Sequence, residues 1–115
     1  MGLLEITVET GISGTVMKLS GESDLTTSGQ LSDAISAQLA TGVRHLTIDL
    51  SALRFADSMT IREFIEAHYT LKSAGGTLEL LRPQHAIAKS LRLLGVDQIL
   101  TVRHKTGTSD QPMIP

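Results

Sequence analysis

The sequence predicts a single α/β domain with a mixed β-sheet: an N-terminal antiparallel hairpin, then parallel strands. Apolar and polar residues alternate before the turn-like segment Thr10–Gly14, and Thr15–Ser20 after it is predicted as a returning strand, which is typical of a hairpin. From His45 onward, short apolar strands alternate with single amphipathic helices, and strands joined in this way must run parallel. Only three helices are visible in the pattern, so we expect them to pack mainly on one face of the sheet.

The first third of the chain is predicted to form two strands and a helix. Strict alternation over Leu4–Glu9 indicates a half-buried strand, and Thr15–Ser20 is predicted to return beside it. The polar segment Gly21–Asp24 is expected to end that strand. Thr27–Gln30 has the spacing of a capping box, a threonine followed three residues later by a glutamine. The helix that follows is expected to end near Ala40.

The rest of the predicted core is a strand–helix–strand–helix–strand series. The strands are Leu46–Leu50, Thr77–Leu81 and Ile99–Val102, and the first is followed by a loop at Ser51–Asp57. Apolar residues at helical spacing define two helices, each followed by glycine. The first has Ile61, Phe64, Ile65 and Leu71 on one face and ends at Gly75–Gly76; the second has Ile87, Leu91 and Leu94 and ends at Gly95.

The predicted domain spans residues 1–102. The segment Arg103–Pro115 is polar, contains two prolines and shows no periodicity, so it is predicted to be a flexible tail. A chain of 115 residues with 41% hydrophobic residues is long enough for one domain with its own core.

The composition excludes several classes of function. The net charge of −2 and the 3% aromatic content give neither a basic surface nor a stacking platform for nucleic acid. No apolar run approaches the roughly 20 residues of a membrane span, and no signal peptide begins the chain. We therefore expect a cytoplasmic protein that does not insert into a membrane.

Polar side chains are predicted where two neighbouring strands end. In sheets with parallel crossovers, functional groups gather at the carboxyl ends of the strands. The loops at Gly21–Thr26 and Ser51–Ser58 occupy that position and carry Asp24 and Asp57. Ser58 follows directly and begins a helix, so the sequence predicts two carboxylates and a hydroxyl at one edge of the sheet.

Each of these residues also has a purely structural interpretation. Ser58 can cap the following helix, and Thr60 with Glu63 forms a competing capping box. Asp24 can bond to its own backbone and form a turn. Met59 is either a buried apolar staple or an adaptable anchor for a partner protein.

No pattern points to catalysis, a cofactor or a metal. The chain has no cysteine and no phosphate-binding glycine loop, and its histidines show no metal-ligand spacing. We therefore expect that the chain itself does not hydrolyse nucleotide. The histidines are His45, His68, His85 and His104.

Several blocks of the sequence resemble the STAS domain family. The segment 46–58, LTIDLSALRFADS, resembles the family's strand-and-loop signature, and 19–25, LSGESDL, resembles its other signature, a strand ending in Gly-Glu-x-Asp. Segments 72–80 and 86–96 are similar to later blocks, and the resemblance extends over about residues 16–102. By pattern, the chain is most similar to bacterial anti-sigma factor antagonists.

This resemblance implies a binding switch, rather than an enzyme, that acts in transcription regulation. In such proteins the serine after the loop aspartate is phosphorylated by an anti-sigma factor that is also a serine kinase. The unphosphorylated form captures that partner and so releases the sigma factor, and a serine phosphatase resets the switch. The resemblance therefore implies Ser58 as the phosphoacceptor, with Thr60 as a second candidate. It places Asp24, Asp57, Ser58, Met59 and Thr60 on the partner-binding surface.

One departure from the family pattern lies beside this serine. The family usually continues with a small residue and then glycine, whereas this chain has Met59 and Thr60. Glycine lets another backbone approach closely, so Thr60 is expected to add a branched side chain to the surface at that point.

Two other functions remain open at this stage. The same fold serves as a STAS subunit of a lipid-transport complex or of a signalling scaffold, in both cases without phosphorylation. A small hydrolase or transferase would need a base beside a nucleophile, and no histidine or lysine is predicted to lie beside Ser58.

Overall fold

In the computed structural model, residues 3–104 form a five-stranded sheet with its helices connecting the strands. The strands are β1 Leu4–Gly11, β2 Gly14–Ser23, β3 His45–Ala56, β4 Thr77–Leu81 and β5 Thr101–Arg103; the helices are α1 Ser28–Ala40, α2 Ser58–Ser73 and α3 His85–Leu93. The spatial order is β1-β2-β3-β4-β5. Strand β1 is antiparallel to β2 and the other pairs are parallel, which confirms the predicted fold class.

Strands β2 and β3 both run further than predicted. Gly21 does not end β2: it pairs with Leu4 on one side and Leu53 on the other. Its φ is +104°, and a Cβ there would lie 2.1 Å from the carbonyl oxygen of Leu3, so the position requires glycine. The predicted loop Ser51–Asp57 is wrong for the same reason, because β3 stays paired with the extended β2 as far as Ala56.

The last strand is shifted towards the C-terminus. A short 3-10 turn, Val96–Gln98, follows α3, and β5 begins only at Thr101 rather than Ile99. Arg103, placed in the tail by the sequence, is the last residue of β5, and its guanidinium Nε lies 2.6 Å from a carboxylate oxygen of Glu79. The rest of the predicted tail, from residue 105, lies outside the described residues.

The core lies between the sheet and its helices. Alternate residues of the central strands, among them Leu19 and Ile48, are fully buried together with Phe64 of α2. The intervening residues form a polar face, on which Lys18 lies opposite Asp49 in the register. The helices therefore cover the apolar face, as predicted.

Two helices begin or end close to the predicted positions, but side chains at those ends differ from the prediction. Thr27 makes no cap bond: its hydroxyl accepts from the Asp24 N–H at 2.9 Å, while the Gln30 amide donates to the Leu4 carbonyl at 2.6 Å. Helix α3 ends at Leu93, so Leu94 is exposed rather than on the buried face. Within residues 3–104, no helix has the length and apolarity to cross a membrane.

Candidate functional site

The carboxyl ends of β2 and β3 lie side by side and carry the predicted site residues. Ser23 is paired with Ala56, and the next N–H along β3, that of Asp57, donates to the Ser23 carbonyl at 3.1 Å. Asp24 and Asp57 therefore leave the sheet at the same edge. Ser58 begins α2 at that edge, so the structure brings the two carboxylates and the hydroxyl to one surface.

Asp57, not Ser58, caps helix α2. An Asp57 carboxylate oxygen accepts the N–H of Thr60 at 3.0 Å, the bond expected of an N-cap residue. The predicted capping roles of Ser58 and of the Thr60–Glu63 pair are therefore wrong. Ser58 is the first helical residue, and its side chain is exposed.

Thr60 points into the protein instead of outward. Its side chain is 2% exposed, and its hydroxyl oxygen lies 2.5 Å from the Ser23 hydroxyl and 3.1 Å from the Ser23 carbonyl oxygen. A carboxylate oxygen of Asp57 is a further 3.1 Å neighbour. The branched side chain expected on the surface is thus buried, and it ties α2 to the end of β2.

Asp24 forms the turn that is its structural interpretation in the sequence, and its carboxylate remains charged. One carboxylate oxygen accepts from the Thr26 backbone N–H at 2.9 Å and from the Thr26 hydroxyl at 2.6 Å. The hydroxyl bond is the main cause that lowers the pKa of Asp24. An ionised carboxylate therefore lies at the same edge of the sheet as Asp57.

Exposed apolar side chains lie on the chain segments that carry the carboxylates. Leu25 is 77% exposed, Phe55 50% and Met59 43%, and they lie on the three chain segments that meet at this edge. Met59 is therefore not a buried staple. The sequence reasoning missed Leu25 and Phe55 because it placed both in loops. For Leu25 alone, the polar neighbours Asp24 and Thr26 were an available signal. Exposed apolar side chains close together often mark an interaction surface.

The cations closest in sequence to Ser58 are already paired. Arg54 on β3 lies 3.5 Å from a Glu22 carboxylate oxygen, and Arg62 on α2 lies 3.1 Å from one of Glu66. Residues 3–104 contain no cluster of three or more side chains suited to a metal. A cavity of about 580 Å³ at the opposite end of the β1–β2 hairpin includes none of the predicted site residues.

The sequence and the fold both match known proteins. The family described as "Mlab, STAS domain" matches residues 6–102. No curated protein matches the chain. An anti-sigma factor antagonist from Mycobacterium paratuberculosis is 26% identical, with 90% of this chain and 87% of that chain covered and a TM-score of 0.83.

Two structures of SpoIIAA share the fold at lower identity. The unphosphorylated anti-sigma factor antagonist SpoIIAA is 20% identical, with 92% of each chain covered and a TM-score of 0.76. The phosphorylated Bacillus cell fate determinant SpoIIAA is 21% identical, with 92% of this chain and 96% of that chain covered and a TM-score of 0.70.

Proposed function

The chain belongs to the STAS domain family, and on that premise we propose that it is an anti-sigma factor antagonist switched by phosphorylation of Ser58. In its unphosphorylated form it binds an anti-sigma factor that is also its serine kinase. A serine phosphatase restores that form. One observation carries the proposal: Ser58 is exposed at the first position of α2, and Asp57 performs the capping that would otherwise occupy its hydroxyl.

The position of Ser58 allows a phosphate without unfolding the chain. The first turn of a helix has N–H groups with no partner inside the helix, and the helix dipole favours negative charge there. Thr60 is an unsuitable acceptor by comparison, because its buried hydroxyl already contacts Ser23.

The proposed partner surface combines apolar and acidic groups. It consists of Leu25, Phe55, Met59, Asp24 and Asp57 around Ser58, with Thr60 supporting it from below. A complementary partner presents an apolar hollow rimmed by cationic groups. A phosphate adds about −1.5 to −2 charges beside the two carboxylates. We infer that the apolar hollow of the partner is shaped for a neutral serine. The bulk of the phosphate and the cost of burying its charge there expel the partner.

The experiment that tests this function is co-purification from the native cell. The tagged chain and its Ser58→Ala variant are isolated, and mass spectrometry identifies the bound proteins and any phosphate. We expect an anti-sigma factor with kinase activity in both samples, and phosphate on Ser58 in the wild type alone. Such a partner acts where the sigma factor is, so we place the protein in the cytoplasm. A wild-type chain without phosphate, in a complex indifferent to ATP, would contradict the switch.

The second candidate is a STAS subunit of a lipid-transport or scaffold complex that is not phosphorylated. The family match supports this candidate, because the family is described as "Mlab, STAS domain" and not as an anti-sigma factor antagonist. The same purification separates the two functions: this candidate requires a persistent hetero-oligomer whose composition is unchanged by Ser58→Ala.

A further inference from the structure

Arg62 lies one helical turn after Ser58 on the same side of α2. Ser58 is the first residue of α2 and Arg62 the fifth, and both side chains are exposed. Residues four apart on a helix have Cβ atoms about 5–6 Å apart. Long side chains on helices lean towards the N-terminus, which here is the direction of Ser58.

The present partner of Arg62 is held only weakly. Its guanidinium Nε lies 3.1 Å from a Glu66 carboxylate oxygen, and both side chains are solvent-exposed. Exposed ion pairs of this kind contribute little. The acid also lies on the C-terminal side of the base, which is the less favourable order for a pair four residues apart. A negative group at position 58 lies on the N-terminal side of Arg62, which is the more favourable order for such a pair.

We propose that a phosphate on Ser58 takes the Arg62 guanidinium from Glu66, so that Arg62 is the residue that holds the phosphoserine within this chain. The inference rests on the proposed phosphorylation of Ser58. A phosphate offers three strong acceptor oxygens, and the planar guanidinium can donate two parallel hydrogen bonds to them. Its charge also exceeds that of the Glu66 carboxylate.

When Arg62 leaves Glu66 for the phosphate, the first turn of α2 in the phosphorylated state differs from that in the unphosphorylated state. Arg62 partly offsets the repulsion between the phosphate and the neighbouring Asp57 and Asp24 carboxylates. It also draws the guanidinium across the first turn of α2, next to Met59. The other nearby cation, Arg54, sits on β3 and is paired with Glu22.

The test is a ³¹P NMR titration of the full chain with phosphoserine incorporated at position 58 during synthesis. In Arg62→Gln we expect the second pKa of the phosphate to rise by about 0.3–0.7 units, because a charge-assisted partner of the dianion is lost. Arg62→Lys should restore part of the shift. Glu66→Gln should lower the pKa, since it removes the competitor for the guanidinium.

Lys72→Gln is the matched control. It removes one exposed positive charge from the same helix, 14 residues and about 21 Å along its axis from position 58. We expect it to move the phosphate pKa by no more than about 0.1 unit. Equal shifts in Arg62→Gln and Lys72→Gln would overturn the proposal.

This outcome is independent of the proposed function. The phosphoserine is introduced during synthesis and needs no kinase. If no partner phosphorylates the chain in the cell, the proposed switch is wrong, but the result of the titration still holds. If the pKa of the phosphate does not depend on Arg62, this inference is wrong. Phosphorylation of Ser58 could then still control partner binding.

Discussion

The hydroxyl oxygen of Thr60 lies 2.5 Å from the hydroxyl oxygen of Ser23, joining the first turn of α2 to the last residue of β2. Both side chains are buried, and the Asp57 carboxylate that caps the helix lies 3.1 Å from the same Thr60 oxygen. The contact fixes the backbone on which Ser58 stands. A residue that departs from the family pattern thus supports the proposed site from inside.

The first prediction concerns this contact. Thr60→Val keeps the shape of the side chain but leaves the Ser23 hydroxyl without a buried partner, so we expect the free energy of unfolding to fall by about 1–3 kcal/mol. Urea denaturation measures the loss. Thr70→Val, the same change at an exposed position of α2, should alter stability by less than about 0.5 kcal/mol. Equal losses in the two variants would contradict the role of the buried hydroxyl.

The second prediction separates the cap from the charge of Asp57. Asp57→Ala removes the acceptor of the Thr60 N–H and should cost about 0.5–2 kcal/mol of stability, whereas Asp57→Asn keeps an equivalent acceptor and should cost much less. Thermal unfolding of both variants provides the measurement. If Asn is as damaging as Ala, the carboxylate acts through its charge and not as a cap.

The third prediction is a pH dependence set by Asp49. Its carboxylate accepts from the Ser51 N–H at 2.9 Å and from Arg82 at 3.0 Å. Burial would raise the pKa of Asp49, but these bonds and the charge of Arg82 outweigh it, and the pKa is lowered. The folded state then binds fewer protons than the unfolded chain, so this stabilisation is present at neutral pH and is lost as the pH falls through the acidic range.

Asp49→Asn should therefore lower the free energy of unfolding at pH 7 by about 1–3 kcal/mol, discounted for the partial exposure of Arg82. Its difference from the wild type should shrink below about pH 4, where the Asp49 carboxyl of the unfolded chain begins to protonate while that of the folded chain stays ionised. Asp33→Asn, at an exposed position of α1, is the control. A difference that stays constant from pH 7 to pH 3 would show that charge is not involved.

The fourth prediction concerns the apolar part of the proposed partner surface. Leu25→Ala should weaken binding of the anti-sigma partner about tenfold or more without changing stability, because the side chain is 77% exposed in the free protein. Leu93→Ala is matched, since Leu93 is 76% exposed but lies at the end of α3. Calorimetric titration compares the two. If the two variants bind the partner with similar affinity, Leu25 is not part of the interface.

The sequence predicts local patterns better than pairing between distant segments. The strand β4 is predicted at its observed bounds because three leucines fall within five residues between a glycine pair and a proline. The continuation of β2 through Gly21 could not be predicted, because it depends on backbone partners in β1 and β3. In the same way, the burial of Thr60 depends on Ser23, 37 residues earlier.

The same distinction between local patterns and distant pairing applies to the residues of the site. The expected strand ends and the resemblance to the family both point to Asp24, Asp57 and Ser58, and the adjacent ends of β2 and β3 bring them to one edge. Nothing local indicates that Phe55 is exposed, because that depends on how far β3 extends and which face of the sheet is covered.

The central claim is that a phosphate on Ser58 controls partner binding. Binding buries the phosphate against a partner surface shaped for a neutral serine, which costs desolvation free energy. The repulsion between the phosphate and one carboxylate, a few kcal/mol at about 6 Å and an effective dielectric constant near 20, also increases when the partner excludes water and salt. A net loss of about 1.4–3 kcal/mol weakens binding roughly tenfold to more than a hundredfold.

The most direct measurement is a calorimetric titration of the co-purified anti-sigma factor with three forms of the chain: wild type, phosphoserine at position 58, and Ser58→Ala. We expect wild type and Ser58→Ala to bind alike and the phosphorylated form to bind at least about tenfold more weakly, with all three equally folded. Equal affinities for the three forms would contradict the switch.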